Sequence, residues 1–320
     1  MHLIDLHNDA ITSLSEKQFS KYVQKAKRAG VEAIFMSVWT TRMEEPVGEI
    51  KQYIKFSPWQ GRGGTPTGEW RTTVPRAKRR GEGCGNLLLN VDIPHTPSSL
   101  RDATPLSQEG NLLFHIEDAW FLSEENIDEL IALQPFSVGL TWNDDNPLAG
   151  GAYGMSGVTP LGKNIVIELV ANDIVIDLAH LNRRSFYEVA EMLKGEKLFC
   201  SHTCFDEVHP HPRNLDRKQV ATIVNSGGLI GLTLVGDFLG GITMEYVYNH
   251  IKWFIDNFGD RHLAIGTDFF GTDNLPKGLK RYKDFRRFKR FLLSKGLTRS
   301  QINNIFYYNA KDFLDSYIGR

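Results

Sequence analysis

Eight short runs of β-forming residues, separated by longer amphipathic stretches, constrain this 320-residue chain more than any other feature. The runs are HLIDLH (2–7), VEAIFMSVW (31–39), NLLFHIE (111–117) and FSVGLTW (136–142). They continue as DIVIDLAH (173–180), KLFCSH (197–202), GLIGLTL (228–234) and HLAIGTD (262–268). Helical periodicity falls between most of them, at 16–29, 160–172, 183–194, 216–226 and 244–258. Eight strands with interleaved helices is the count of an α/β chain folded as a (β/α)8 TIM-type barrel. The rival is an open doubly wound sheet, but no Gly-rich phosphate loop follows the first run. The length suits one barrel domain spanning 1–320, with 281–318 read as two closing helices.

One region breaks the alternation. Residues 56–110 are rich in Gly, Pro, Thr and Arg and read as an insertion between the second and third strands. Its basic run at 75–83 invites a nucleic-acid reading, but a solvated insertion explains it more simply. NLLLNVDI (86–93) is a candidate extra strand. A formal charge of -1 gives no electrostatic reason to expect nucleic acid or a membrane surface as partner. Three cysteines cannot pair completely, which points to a reducing compartment. The first strand begins within three residues of Met1, and no apolar run approaches the roughly 18 residues of a membrane span. The expected location is cytoplasmic. The expected partner is a small-molecule substrate, and a homodimer stays open.

Function is written at the strand ends. The first strand ends in His7 and Asp9, the third in Glu117, the fifth in His180, the sixth in His202 and the eighth in Asp268. In a barrel these ends meet at the face where active sites sit, and alternation turns His7 and Asp9 to one side. Singly, each has a dull explanation: a hydrogen-bonded structural histidine, or a helix-capping aspartate. Together they would repel one another and lose hydration, a conflict that a cation resolves. Three imidazoles with two or three carboxylates suit zinc, and manganese, iron or cobalt also fit chemically. Five or six ligands exceed one tetrahedral ion, so two metals sharing a carboxylate is the natural count. His2, His95, His250 and His262 read as surface or structural residues, and His115 as packing beneath the site. Cys200 and Cys204 flank His202, but no second cysteine pair completes a zinc finger, so they read as buried thiols.

These residues lie in longer motifs: IDLHNDA (4–10), HIED (115–118), GLTWNDDNPLAGG (139–151), GVTPLGKNIVIELVANDIVIDLAHLN (157–182), FCSHTCFDEVHPHPRN (199–214) and LAIGTDFFG (263–271). In combination they resemble the membrane dipeptidase (renal dipeptidase) family of the amidohydrolase superfamily, over about two-thirds of the chain. The resemblance implies a zinc-dependent dipeptidase with two Zn2+ per chain. His7 and Asp9 would hold one ion, His180 and His202 the other, and Glu117 would bridge them around a hydroxide. By the same resemblance Asp268 moves the proton of that water to the leaving amine, and Arg213 of HPRN holds the substrate carboxylate. The chain departs from the family at Trp142, where many relatives carry a histidine that polarises the scissile carbonyl. A Trp indole donates one hydrogen bond and cannot take up a proton; neighbouring Asn143 is the candidate for the missing donor. Phe270 stands where an acid is frequent, and 56–110 does not match the family's helical section. Two other functions share these residues: deacylation of N-acyl amino acids, with the same metals and arginine, and a metal-binding protein without catalysis.

Overall fold

The computed structural model describes residues 1–41, 43–56 and 111–318. Eight strands form a closed barrel in chain order. They are β1 (Leu3–Asn8), β2 (Val31–Trp39), β3 (Asn111–Glu117), β4 (Ser137–Gly139), β5 (Val175–Asp177), β6 (Phe199–Thr203), β7 (Leu229–Leu232) and β8 (Leu263–Ile265). Each runs parallel to the next, and β8 closes on β1 through Asp5 and Ile265. Every strand lies within or against its expected run. Several stop early because side chains take over the backbone groups where the ladder ends. The Asp177 carboxylate accepts the Ala179 N–H at 3.0 Å, and the Asn146 amide donates to the Leu140 carbonyl at 2.8 Å.

Helices alternate with the strands and start where their caps dictate. Glu16–Ala29 opens with a reciprocal capping box between Ser15 and Gln18 and ends at Gly30 in the left-handed region, φ 91°. A Cβ at Gly30 would strike the Met1 carbonyl, so glycine is required there on two counts. Pro160–Ala171 begins with Thr159 capping Gly162 and Pro at the first position, and Arg217–Asn225 begins with an Asp216–Gln219 box. The closing segment is a helix at Phe285–Ser294, then Arg299–Asn303 continuing through a π turn at Asn304–Tyr308 into Asn309–Ile318.

Two apolar layers result. The larger lies between strands and helices; the smaller fills the barrel with Ile4, Leu6, Ala33, Phe35, Val175, Phe199, Leu229 and Ala264. Ala310, Phe313 and Leu314 of the last helix pack onto this inner plug. The Tyr317 hydroxyl bonds the Lys197 carbonyl just before β6, so the helix seals the end where the strands begin. Polar groups are left to the other end. Among the described residues, no helix is long and apolar enough to cross a membrane. The insertion-like stretch, with its basic run at 75–83, His95 and candidate strand 86–93, lies outside the described residues apart from Phe56, which ends the helix Pro46–Phe56.

Candidate metal centre and active site

At the open end β1, β3, β5, β6 and β8 deliver their terminal polar residues to one point. His7, Asp9, Glu117, His180 and His202 are all buried, and Asp268 is partly exposed at the mouth. The two oxygens of Glu117 divide the cluster. Oε2 lies 3.4 Å from His7 Nε2, which is itself 3.5 Å from Asp9 Oδ2. Oε1 lies 2.7 Å from His180 Nε2 and 4.0 Å from His202 Nε2. One carboxylate thus faces two separate ligand pairs. His180 and Asp268 reach these positions in the left-handed backbone region, φ 68° and 59°. For non-glycine residues that costs on the order of 1–3 kcal/mol, and such strain concentrates at functional sites.

Two of the histidines present a ring nitrogen lone pair to the cluster. His180 Nδ1 bonds the Asn143 side-chain oxygen at 3.0 Å, an acceptor, so Nδ1 carries the proton and Nε2 presents its lone pair. His202 Nδ1 lies 2.8 Å from Ser201 Oγ, while its Nε2 accepts from Arg213 Nη2 at 2.9 Å. A guanidinium can only donate, so this Nε2 also presents a lone pair. Burial lowers the pKa of His180 to about 4, with the Arg213 charge adding to it. Burial, with His7 and Arg213 nearby, holds His202 well below its ordinary value. Both rings are therefore neutral and able to coordinate. His7 goes the other way: burial opposes its charge, but the Asp9 and Glu117 carboxylates overcome this and raise its pKa well above normal. Burial and then the Asp9 charge push Asp268 up to about 7.

This donor set fits divalent metal. Two groups, His7–Glu117–His202 and His7–Asp9–Asp268, have ligand atoms within 4.8 Å of one another. Asp9 precedes the short helix Ala10–Ser13 but does not cap it, and its buried Oδ2 makes no hydrogen bond. A buried carboxylate oxygen without a donor is costly unless a cation supplies the missing charge. The Arg213 guanidinium resting on His202 Nε2 shows that positive charge is accommodated there.

Arg213 follows β6 on the HPRN loop and is buried. Its backbone N–H bonds His211 Nδ1 at 3.1 Å, and its guanidinium lies 5.3 Å from the Phe238 ring centre. It does not pair with Asp206, which accepts from His211 N, or with Glu207, which accepts from Arg217 N. Its Nε makes no hydrogen bond. A cavity of about 420 Å³ runs from His180 and Arg213 outward between the loops after β5 and β6, past Asn182 and Pro210. Trp142 flanks the cluster, its ring centre 6.4 Å from that of His180. Asn143, the candidate carbonyl donor, uses its oxygen to orient His180. His115 sits below, bonded to Ser137 Oγ at 2.9 Å and 3.4 Å from Asp177, with its ring 5.4 Å from that of His7. His250 is buried and accepts the Phe205 N–H, His262 bonds the Gly228 carbonyl, and His2 pairs with Glu32 at the surface. Cys200 and Cys204 are buried free thiols.

Several residues that organise the site were not among the candidates, although Asp5 and Asp118 lie inside the motifs. The fully buried Asp5 accepts from Thr267 N at 2.7 Å, Thr267 Oγ1 at 2.6 Å and the Tyr282 hydroxyl at 2.6 Å. It thereby fastens β1, with His7, to the turn that carries Asp268. Ser37 donates to Glu117 Oε2 at 3.0 Å. Asp118 accepts from Trp142 N and Asn146 Nδ2, fixing the loop after β4. A charged residue within an apolar strand, as Asp5 is in LIDLH, is the signal by which one of them can be found.

The family model described as membrane dipeptidase (Peptidase family M19) matches residues 1–312. The chain belongs to this family. Similar curated proteins include an uncharacterized protein in the pqqA 5' region of Klebsiella pneumoniae, 26% identical over 219 residues, which are 62% of this chain and 79% of that one. Another is the uncharacterized dipeptidase C3A11.10c of Schizosaccharomyces pombe, 26% identical over 52% of this chain and 42% of its own. The chain thus spans less than half the length of that relative. Among solved structures, dipeptidase AC superposes with a TM-score of 0.76 at 18% identity, over 100% of this chain and 99% of its own. A Rhodobacter sphaeroides metallopeptidase, liganded with a phosphinate mimic of the dipeptide L-Ala-D-Ala, gives 0.73 at 18% identity, over 98% and 99%. At that identity the superpositions establish the barrel; the family itself is one of metal-dependent dipeptidases.

Proposed function

We propose that this M19 family member hydrolyses dipeptides with a free C-terminal carboxylate, using two zinc ions. The observation that carries the reading is the divided carboxylate of Glu117, with His7 and Asp9 on one side and His180 and His202 on the other. His7 and Asp9 would hold one ion, His180 and His202 the second, and Glu117 both. Divalent ions held there lower the pKa of water from near 16 toward about 7 and polarise a carbonyl.

The remaining chemistry belongs to the chain. Arg213 is a buried guanidinium within reach of the ligands, whose Nε has no partner, and it can fork onto a substrate carboxylate with two charge-assisted bonds. That anchors one end of a short peptide and fixes how far its scissile bond lies from Glu117. Asp268, whose carboxyl is pushed up to about 7 by burial and by Asp9, takes a proton from the attacking water and returns it to the departing amine. Asn143 holds His180 in the tautomer the site needs. The free buried thiols Cys200 and Cys204 suit a reducing, cytoplasmic setting. The peptide mimic bound by the Rhodobacter sphaeroides relative supports the substrate class.

A substrate panel tests this. Zinc-loaded protein is expected to cleave free dipeptides faster than N-acyl amino acids with the same C-terminal residue. Cleavage of the N-acyl series alone would replace the dipeptidase reading with a deacylase.

A further inference from the structure

We propose that Trp39 and Trp142 form the subsite for the N-terminal residue of the substrate and select an aromatic or bulky apolar side chain there. This rests on the dipeptidase reading and adds to it the side chain the enzyme prefers. The inner face of β2 carries Ala33 and Phe35 in the barrel plug, then Ser37 bonded to Glu117. Trp39 is the next residue on that face, and it pairs in register with Glu117 across the β2–β3 ladder. It is therefore the neighbour, on the inner face, of the residue whose carboxylate faces both ligand pairs. Trp142 reaches the same place from the loop after β4, with its ring centre 5.2 Å from that of Trp39 and 6.4 Å from that of His180.

Both indoles are half-buried, as the walls of a cleft are. Both are also held in place. Asp118 accepts the Trp142 backbone N–H at 3.1 Å and is itself bonded to Thr41 and Asn146. The backbone next to Trp39 is fixed by the Trp120 indole, which donates to the Thr40 carbonyl at 3.2 Å.

Barrel topology decides which end of the substrate they meet. In a closed eight-stranded barrel, β2 lies four strands from β6, directly across the mouth. Arg213 belongs to the loop after β6 and takes the C-terminal carboxylate. A dipeptide anchored there and laid across Glu117 directs its N-terminal residue toward β2 and β4, onto the two indoles. Rigid aromatic faces favour planar and bulky apolar side chains by offset stacking and by burial. They offer nothing to glycine.

The test compares Phe-Xaa with Gly-Xaa, keeping one C-terminal residue, on zinc-loaded protein. The expected ratio of kcat/KM is about tenfold or more in favour of Phe-Xaa. Trp39→Ala and Trp142→Ala should each shrink that ratio several-fold, and Trp142→Phe should keep most of it. The ratio is taken within each protein, so loss of folded or metal-loaded material cancels. A parent ratio near one, or a ratio unmoved by both alanine variants, overturns the subsite. Failure to cleave any dipeptide overturns the dipeptidase reading instead. In that case the same ratio, measured with N-phenylacetyl against N-acetyl amino acids, decides the subsite: a ratio near one, or no cleavage there either, overturns it.

Discussion

Replacing Arg213 with methionine isolates the contact proposed to hold the substrate carboxylate. The guanidinium is buried, leans on His202 Nε2 at 2.9 Å, and has no carboxylate within ion-pair distance among the described residues. Burial accordingly lowers its pKa below the ordinary arginine value. A substrate carboxylate would supply the missing counter-charge in a water-poor site. Methionine keeps most of the apolar stem that passes Phe238 and removes only the charged fork. A hydrogen bond to a charged group is worth about 1.5–3 kcal/mol, so kcat/KM for free dipeptides should fall roughly 10- to 150-fold. The assay is steady-state hydrolysis of a dipeptide and of its C-terminal amide by parent and variant. The amide lacks the carboxylate, so it should be a poor substrate for the parent and nearly indifferent to the substitution. Equal losses on acid and amide would refute the reasoning, because Arg213 would then support the metals or the loop rather than the substrate.

Three further outcomes follow from particular contacts. Asp268→Asn should lower turnover by roughly 10²–10⁴ while keeping both metals; it should also stabilise the metal-free protein at pH 8 but not near pH 4. The sign follows from a folded pKa of about 7 against an ordinary value of 3.8: the folded state holds the extra proton, so the carboxylate costs stability as pH rises between them. Thermal melts of the metal-free proteins at the two pH values check this, and a variant that loses its metals would make Asp268 mainly a ligand. Asn143→Ala frees the His180 ring and should weaken binding of one of the two ions about 10- to 100-fold, read by competition with a chelating dye. Asp5→Ala strands the Thr267 N–H and hydroxyl and the Tyr282 hydroxyl in the interior, so denaturant unfolding should show a loss of about 3 kcal/mol or more.

The barrel was legible because its signal is local: short apolar runs recur eight times, capped helices and glycine stops punctuate several of the intervals, and no single one decides the outcome. The candidate cluster was legible for a related reason. A barrel brings every strand end to one face, so His7, Asp9, Glu117, His180, His202 and Asp268 could be grouped before their distances were known. What the sequence hid is the layer beneath. Asp5, Ser37 and Asp118 act through contacts with residues far along the chain, such as Asp5 with Thr267 and Tyr282, and no spacing encodes them. Asn143 shows the same limit. The motif marks it as important, but its bond to His180 depends on which way the amide faces. Trp142 stood in a motif, but its neighbour Trp39 escaped for a third reason: it reads as an ordinary strand residue until β2 is seen to face its inner side to the mouth.

Metal stoichiometry tests the central claim most directly. Protein stripped with chelator and titrated with zinc should bind close to two ions per chain, with dipeptide hydrolysis absent beforehand and restored on loading. In Glu117→Gln both ions should bind more weakly, because one carboxylate faces both ligand pairs. A protein that binds one ion, or hydrolyses dipeptides fully without any, would contradict the two-metal account.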